Sequence, residues 1–212
     1  MKKIMLVLGI LIVVFMALLY WSVMSTNNKN KQGILINSDT LETTDFKTYD
    51  SVVIAASTLY KGSPIKNVMQ GEQYRKAWET PIKVPVVYLD TLFGGLTITK
   101  EGGGKQTHSL KLQSKNNIQY TLRSINKDPE ALIPDLLKIL SLENIVVDGI
   151  SAQNPYGAIL GAELATSGKI FFYATKNRFI PKQERLREHY IESFVTGSSP
   201  RIRTEMLPMV RS

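Results

Sequence analysis

The chain has 212 residues, 43% of them hydrophobic, and a formal net charge of +8, enough for one medium domain with a real core. It has no cysteine, which excludes disulfides, thiolate metal sites, a cysteine nucleophile and a lipid-modified N-terminal cysteine. The two histidines, His108 and His189, are far apart, so no histidine cluster has zinc-ligand spacing, and the basic residues form no run longer than two, so nucleic acid is not an expected partner.

Lys2 and Lys3 precede an uncharged apolar run from Ile4 to Met24. Its 21 residues are long enough to cross a hydrocarbon layer of roughly 30 Å as a helix, and Tyr20 and Trp21 fall where an interfacial aromatic pair sits. A cleaved signal peptide is the rival reading. Its apolar core is normally only about 7–15 residues, but Val23 and Ser25 form a passable cleavage pattern. Residues 1–24 are therefore expected to be a transmembrane anchor or a signal segment. The rest of the chain is expected outside the cytoplasm, membrane-anchored on the extracytoplasmic side or secreted or periplasmic after cleavage. Residues 25–47, rich in Asn, Lys, Thr and Ser, read as a polar linker.

Residues 48–195 are expected to form an α+β domain. Ser51 to Ala56 (SVVIAA) is a buried strand, and Gly62-Ser63-Pro64 breaks the segment after it. Glu72 to Glu79 is a short helix with Tyr74 and Trp78 on one face. Pro81 and Pro85 keep the backbone extended before a strand at Val84 to Leu89. Gly94 to Ile125 is an antiparallel β meander, because apolar and polar residues alternate around a glycine turn and an Asn-Asn turn. Asp128 and Pro129 are suited to start a helix carrying Leu132, Leu136, Leu137 and Leu140, which Pro134 would split. Further helices are expected over Leu142–Ala152, Gly157–Thr166 and Pro181–Phe194, with a strand at Lys169–Ala174. Residues 196–212, with two prolines and little periodicity, read as a loose basic tail.

Four stretches are candidates for chemistry. In Glu101 to Thr107, Gly102, Gly103 and Gly104 would let backbone N–H groups approach phosphate oxygens, with Lys105 adding charge. The spacing excludes a Walker A loop, since Gln106 follows Lys105. It is a partial match to G-x-G-x-x-G, with Thr107 at the last glycine, set between two strands as in kinases. A plain hairpin turn explains the same residues. Arg123 on the third strand is the phosphate-contacting candidate, with Asp148 and Glu143 as acids to pair with it, or it is simply a solvent-facing strand residue. Ser151 has no G-x-S-x-G elbow around it. From Lys176 to Arg211 eight Lys/Arg alternate with four Glu, which reads as a solvated face or as a surface for anionic lipid or a partner.

The run Tyr74-Arg75-Lys76-x-Trp78-x-Thr80-Pro81-x-x-Val84-Pro85-Val86, then Gly94-Gly95-Leu96-Thr97, Gly103-Gly104-x-Gln106-Thr107-x-Ser109-Leu110-x-Leu112 and Tyr120-x-Leu122-Arg123-Ser124-x-x-Lys127-Asp128-Pro129, resembles a region of large bacterial cell-envelope proteins. So does Asp148-x-Ile150-Ser151-Ala152-x-x-Pro155-Tyr156-Gly157-Ala158. The resemblance covers about residues 70 to 160. It implies the N-terminal lobe of an atypical kinase-like fold, with ATP and magnesium as the cofactor such a lobe covers. It also makes Gly102, Gly103, Gly104, Lys105, Thr107, Arg123 and Asp148 the residues that would face it. No H-R-D-like or D-F-G-like motif follows, and without one nothing positions nucleophile or magnesium. The expectation is a truncated or split member without catalysis of its own, bound to the membrane through its N-terminal helix and to an envelope protein partner or weakly to a nucleotide. The alternatives are half of a split phosphotransferase and a purely structural module.

Overall fold

A computed structural model describes residues 1–24, 26, 45–102, 107–127, 129, 132–170, 175–181, 183, 184 and 186, with the backbone of 103, 172–174 and 201–210. It is mixed α+β with antiparallel sheets and one apolar N-terminal helix. That helix, α1 (Lys2–Val23), is apolar enough to span a membrane or to be a signal sequence. Its last turn packs against the domain. Ser22 and Val23 are buried, and Gln70 donates to the Ser22 hydroxyl across 3.2 Å. Most of the expected linker, 25 and 27–44, lies outside the described residues, but Thr26 is fully buried and Phe46 belongs to the core.

Strands β1 (Ser51–Ala55) and β2 (Pro81–Pro85) form a small antiparallel sheet. Helices α2 (Pro64–Gln70) and α3 (Arg75–Glu79) lie between them in sequence. The break expected at residues 62–64 is in fact a helix start: Ser63 accepts a hydrogen bond from the Lys66 amide and Pro64 takes the first turn, where its missing N–H costs nothing. On α3, Trp78 is fully buried but Tyr74 stays about half exposed, because Tyr74 caps the helix instead of lying on its inner face.

The expected meander is β3 (Leu96–Gly103), β4 (His108–Ser114) and β5 (Gln119–Ser124). It extends into a five-stranded sheet of order β3-β4-β5-β7-β6, with β6 (Phe172–Ile180) and β7 (Arg201–Val210). Leu110 faces Leu122 and Leu112 faces Tyr120 across the strands, all buried. A bulge between Ile98 and Lys100 reverses the alternation of β3, so Lys100 stands opposite Lys111 instead of sharing the face of Leu96 and Ile98. The expected loose tail is corrected by β7, which lies between β5 and β6. Pro208 fits there because β5 pairs no further along β7 than Met206 and the β6 register slips between Tyr173 and Thr175, so no regular ladder bond needs its missing N–H.

Helix α4 (Asp135–Ile139) begins at Pro134, not at Pro129, since a proline accepted in a first turn is excluded from a helix interior. Asp128 is outside the described residues. Helices α5 (Glu143–Gly149) and α6 (Gly157–Ser167) match expectation closely, and the 181–194 helix falls almost wholly outside the described residues. Val86 bridges to Phe179, joining the two sheets. One core surrounds Ile54, Trp78, Val147 and Phe179; the other lies under Leu89, Leu96, Leu110 and Leu122.

Candidate functional site

The sequence-predicted residues divide between two places. Gly102, Ser109 and Arg123 occupy one row across β3, β4 and β5. Directly paired residues point to the same face, so Arg123 and Gly102 share a face, about 10 Å apart at two strand spacings. Arg123 and Gly102 are exposed there. A Cβ at Gly102 would stand 2.9 Å from the Ser109 hydroxyl, so the absence of a side chain there is also explained by packing. Lys127, just beyond β5, is half-buried; burial, and then the charge of Arg123, push its ammonium below the ordinary lysine value. Gly103 is the last residue of β3, opposite His108, and Thr107 is half-buried just before β4. Gly104 and Lys105 lie outside the described residues.

Asp148 is elsewhere and does not pair with Arg123. It sits on α5, 1% exposed, at the centre of a buried charge cluster. Arg75 grips it with two parallel bonds, Nη1 to Oδ1 at 2.8 Å and Nη2 to Oδ2 at 2.5 Å. The Lys66 ammonium lies 3.3 Å from Oδ1. The Thr26 hydroxyl donates to Oδ1 at 3.0 Å and accepts from Lys66. Arg75 also donates to the carbonyls of Gly71 and Tyr60. Burial alone would raise the Asp148 carboxyl, but the Arg75 hydrogen bonds and the charges of Lys66 and Arg75 outweigh it and hold the group below the usual carboxylate range. Burial pushes Lys66 below its ordinary value, against the opposing pull of Asp148. Two cations thus share one anion in a space closed to water, which binds Thr26, immediately after α1, to α2, α3 and α5.

Sequence reasoning missed Thr26, Lys66 and Arg75. The only signal for Lys66 was the Ser63-Pro64 helix start, which puts it in a first turn. Arg75 lay within a quoted motif without a role. The motifs themselves turn out to be packed against each other: besides Arg75 with Asp148, the Tyr74 amide donates to the Ser151 carbonyl and the Trp78 indole donates to the Gln153 carbonyl at 2.8 Å. Ser151 is fully buried and its hydroxyl donates to Gln73, an internal hydrogen bond and not a nucleophile's setting. Glu143 stands in the first turn of α5. Among the described residues no group of three or more His, Asp or Glu side chains is placed to hold a metal ion.

Comparison with known proteins gives no match: no family model, no curated protein and no solved structure matches this chain.

Proposed function

We propose that this chain is a membrane-tethered domain of the cell envelope, held on the extracytoplasmic side. In this reading it resembles the nucleotide-covering lobe of a kinase-like fold and binds a phosphate-bearing ligand weakly without transferring the phosphate. The observation that carries the reading is the shared row of Gly102, Ser109 and Arg123: exposed backbone and a guanidinium stand on one face two strand spacings apart, with the half-buried Lys127 ammonium near enough to feel the charge of Arg123, the kinds of group that recognise phosphate. Asp148 takes no part in this reading. Phosphoryl transfer needs a carboxylate to hold magnesium between the phosphates, and this carboxylate is engaged by Arg75, Lys66 and Thr26.

The test is calorimetric titration of the full chain, reconstituted in lipid nanodiscs, with ATP in the presence and absence of magnesium. Weak saturable binding is expected, with a dissociation constant of about 1 mM, or about −4 kcal/mol. It should be little changed by magnesium and lost in Arg123→Ala, with no hydrolysis. Failure to saturate at millimolar ATP would leave the turn as a structural hairpin and the chain as a structural or partner-binding module. The side of the membrane is tested by labelling Asn116→Cys, in the exposed β4–β5 turn of a chain without cysteine, with an impermeant maleimide on intact cells. Labelling only after permeabilisation would place the domain in the cytoplasm.

A further inference from the structure

We propose that the domain itself sits in the membrane interface, with the outer face of α4 resting on lipid. This rests on the reading of α1 as an anchor. Leu136, Ile139 and Leu140 are 64%, 79% and 48% exposed, at the i, i+3, i+4 spacing that places them on one helical face. Leu137, between them in sequence, turns inward and packs on the core. The short helix thus carries an inward Leu137 and an outer apolar stripe flanked by the exposed Asp135–Lys138 ion pair, and that stripe has no cover within the described residues.

Two observations say what covers it. The first is continuity with the anchor: the Tyr20 hydroxyl donates to the Leu140 carbonyl at 2.6 Å, so the apolar stripe begins beside the aromatic pair Tyr20 and Trp21, and Trp21 is 63% exposed. Such pairs lie at the level of the lipid headgroups. The second is length. Residues 1–17 of the chain are exposed, and Leu18 and Leu19 are the first to be partly covered by the domain. From Ile4, the first apolar residue after the two lysines, to Ala17 the uncovered apolar helix rises about 21 Å at about 1.5 Å per residue. A hydrocarbon layer is about 30 Å thick. The free part of α1 is too short to cross it, and tilting only shortens its reach. Crossing therefore draws Leu18 to Val23, and the α4 face beside them, down to the membrane surface. A soluble partner in that position would have to displace lipid from the end of α1.

The absence of cysteine makes the test direct. Val13→Cys in α1, Ile139→Cys in α4 and Asn116→Cys in the β4–β5 turn are each made in the full chain and labelled with an environment-sensitive fluorophore. The chain is then reconstituted in phosphatidylcholine vesicles containing lipids with quenchers at interfacial and mid-chain depths. The expected result is quenching at Val13 by the deep quencher and at Ile139 by the interfacial one, with none at Asn116. Adding Leu136→Glu and Leu140→Glu should reduce quenching at Ile139 at least twofold and leave Val13 unchanged. Quenching at Val13 but not at Ile139 overturns the proposal and leaves the anchor standing; a blue-shifted but unquenched Ile139 probe does the same by showing a protein cover. Quenching at neither position overturns the anchor reading and the proposal with it. Quenching at Ile139 that survives both glutamates shows that the apolar stripe is not what makes the contact, and overturns the proposal too.

Discussion

Replacing Asp148 with alanine would leave Lys66 and Arg75, 0% and 3% exposed, facing each other without a counter-ion. Removing one partner of a buried ion pair costs about 3–5 kcal/mol, because the remaining charge is neither solvated nor paired. Lys66 escapes part of the cost by releasing its proton, since burial already holds its pKa low; Arg75 cannot. A value of about 4 kcal/mol is expected, against a total domain stability of about 5–15 kcal/mol. For a chain of this size it corresponds to a fall in Tm of about 8–16 °C. Lys66→Met is the contrasting change. It keeps the volume, removes the surplus cation and leaves the two Arg75–Asp148 bonds intact, so a change within about 1 kcal/mol is expected, as for apolar replacements of buried ions. The double variant should be less damaged than the sum of the two, with a coupling of about 1 kcal/mol or more. Urea denaturation of the detergent-solubilised full chain, followed by the fluorescence of buried Trp78, measures all three. The reasoning is refuted if Asp148→Ala lies within about 1 kcal/mol of the parent, or if Lys66→Met costs as much as Asp148→Ala.

The same cluster sets a pH dependence. Because Lys66 binds its proton less tightly folded than unfolded, stability should rise as pH climbs through the window below about 10.4, and Lys66→Met should flatten that rise in urea midpoints taken from pH 7 upward. Asp148 has a depressed folded pKa, so its contribution is present above about 3.9 and is lost only as pH falls below that value; acid unfolding in Asp148→Asn should lack this component. Trp78 is fully buried, packs edge-on against Tyr60 at 4.9 Å and donates to the Gln153 carbonyl. Trp78→Ala should cost about 3–5 kcal/mol, and Trp78→Phe about 1–3 kcal/mol through the carbonyl left unpaired, both read from thermal melts. Gly95 has a φ of 100°, and a Cβ there would meet the Asp90 carbonyl at 3.1 Å, so Gly95→Ala should cost about 1–3 kcal/mol; an unchanged Tm would contradict the strained turn before β3.

The local features of the fold were legible. Alternation in Leu110, Leu112, Tyr120 and Leu122 marked a buried sheet face, and the uncharged run after Lys2 and Lys3 marked a helix of spanning length. Legibility failed where a local signal had two meanings. Ser63-Pro64 reads as a break or as a cap, and only the docking of α2 beside α1 and the placement of Lys66 decide. Pro200 and Pro208 spoke for a loose tail, yet a strand tolerates a proline where its ladder is irregular. The candidate site residues were half legible. Strand register puts Gly102 and Arg123 in one row, as the meander predicts, but Asp148, offered with Glu143 as a partner for Arg123, pairs with Arg75, because sequence spacing does not say which cation the fold brings to a helical acid.

The sequence by itself determined the apolar helix, the antiparallel meander and the α+β class, because each rests on periodicity within a few neighbouring residues. Only the tertiary structure decided that Thr26, Lys66, Arg75 and Asp148 meet, since they are separated by up to 122 positions. A buried charge takes whichever counter-ion the packing brings within about 3 Å. Tertiary structure likewise packed the end of the apolar helix, Ser22 and Val23, against the domain.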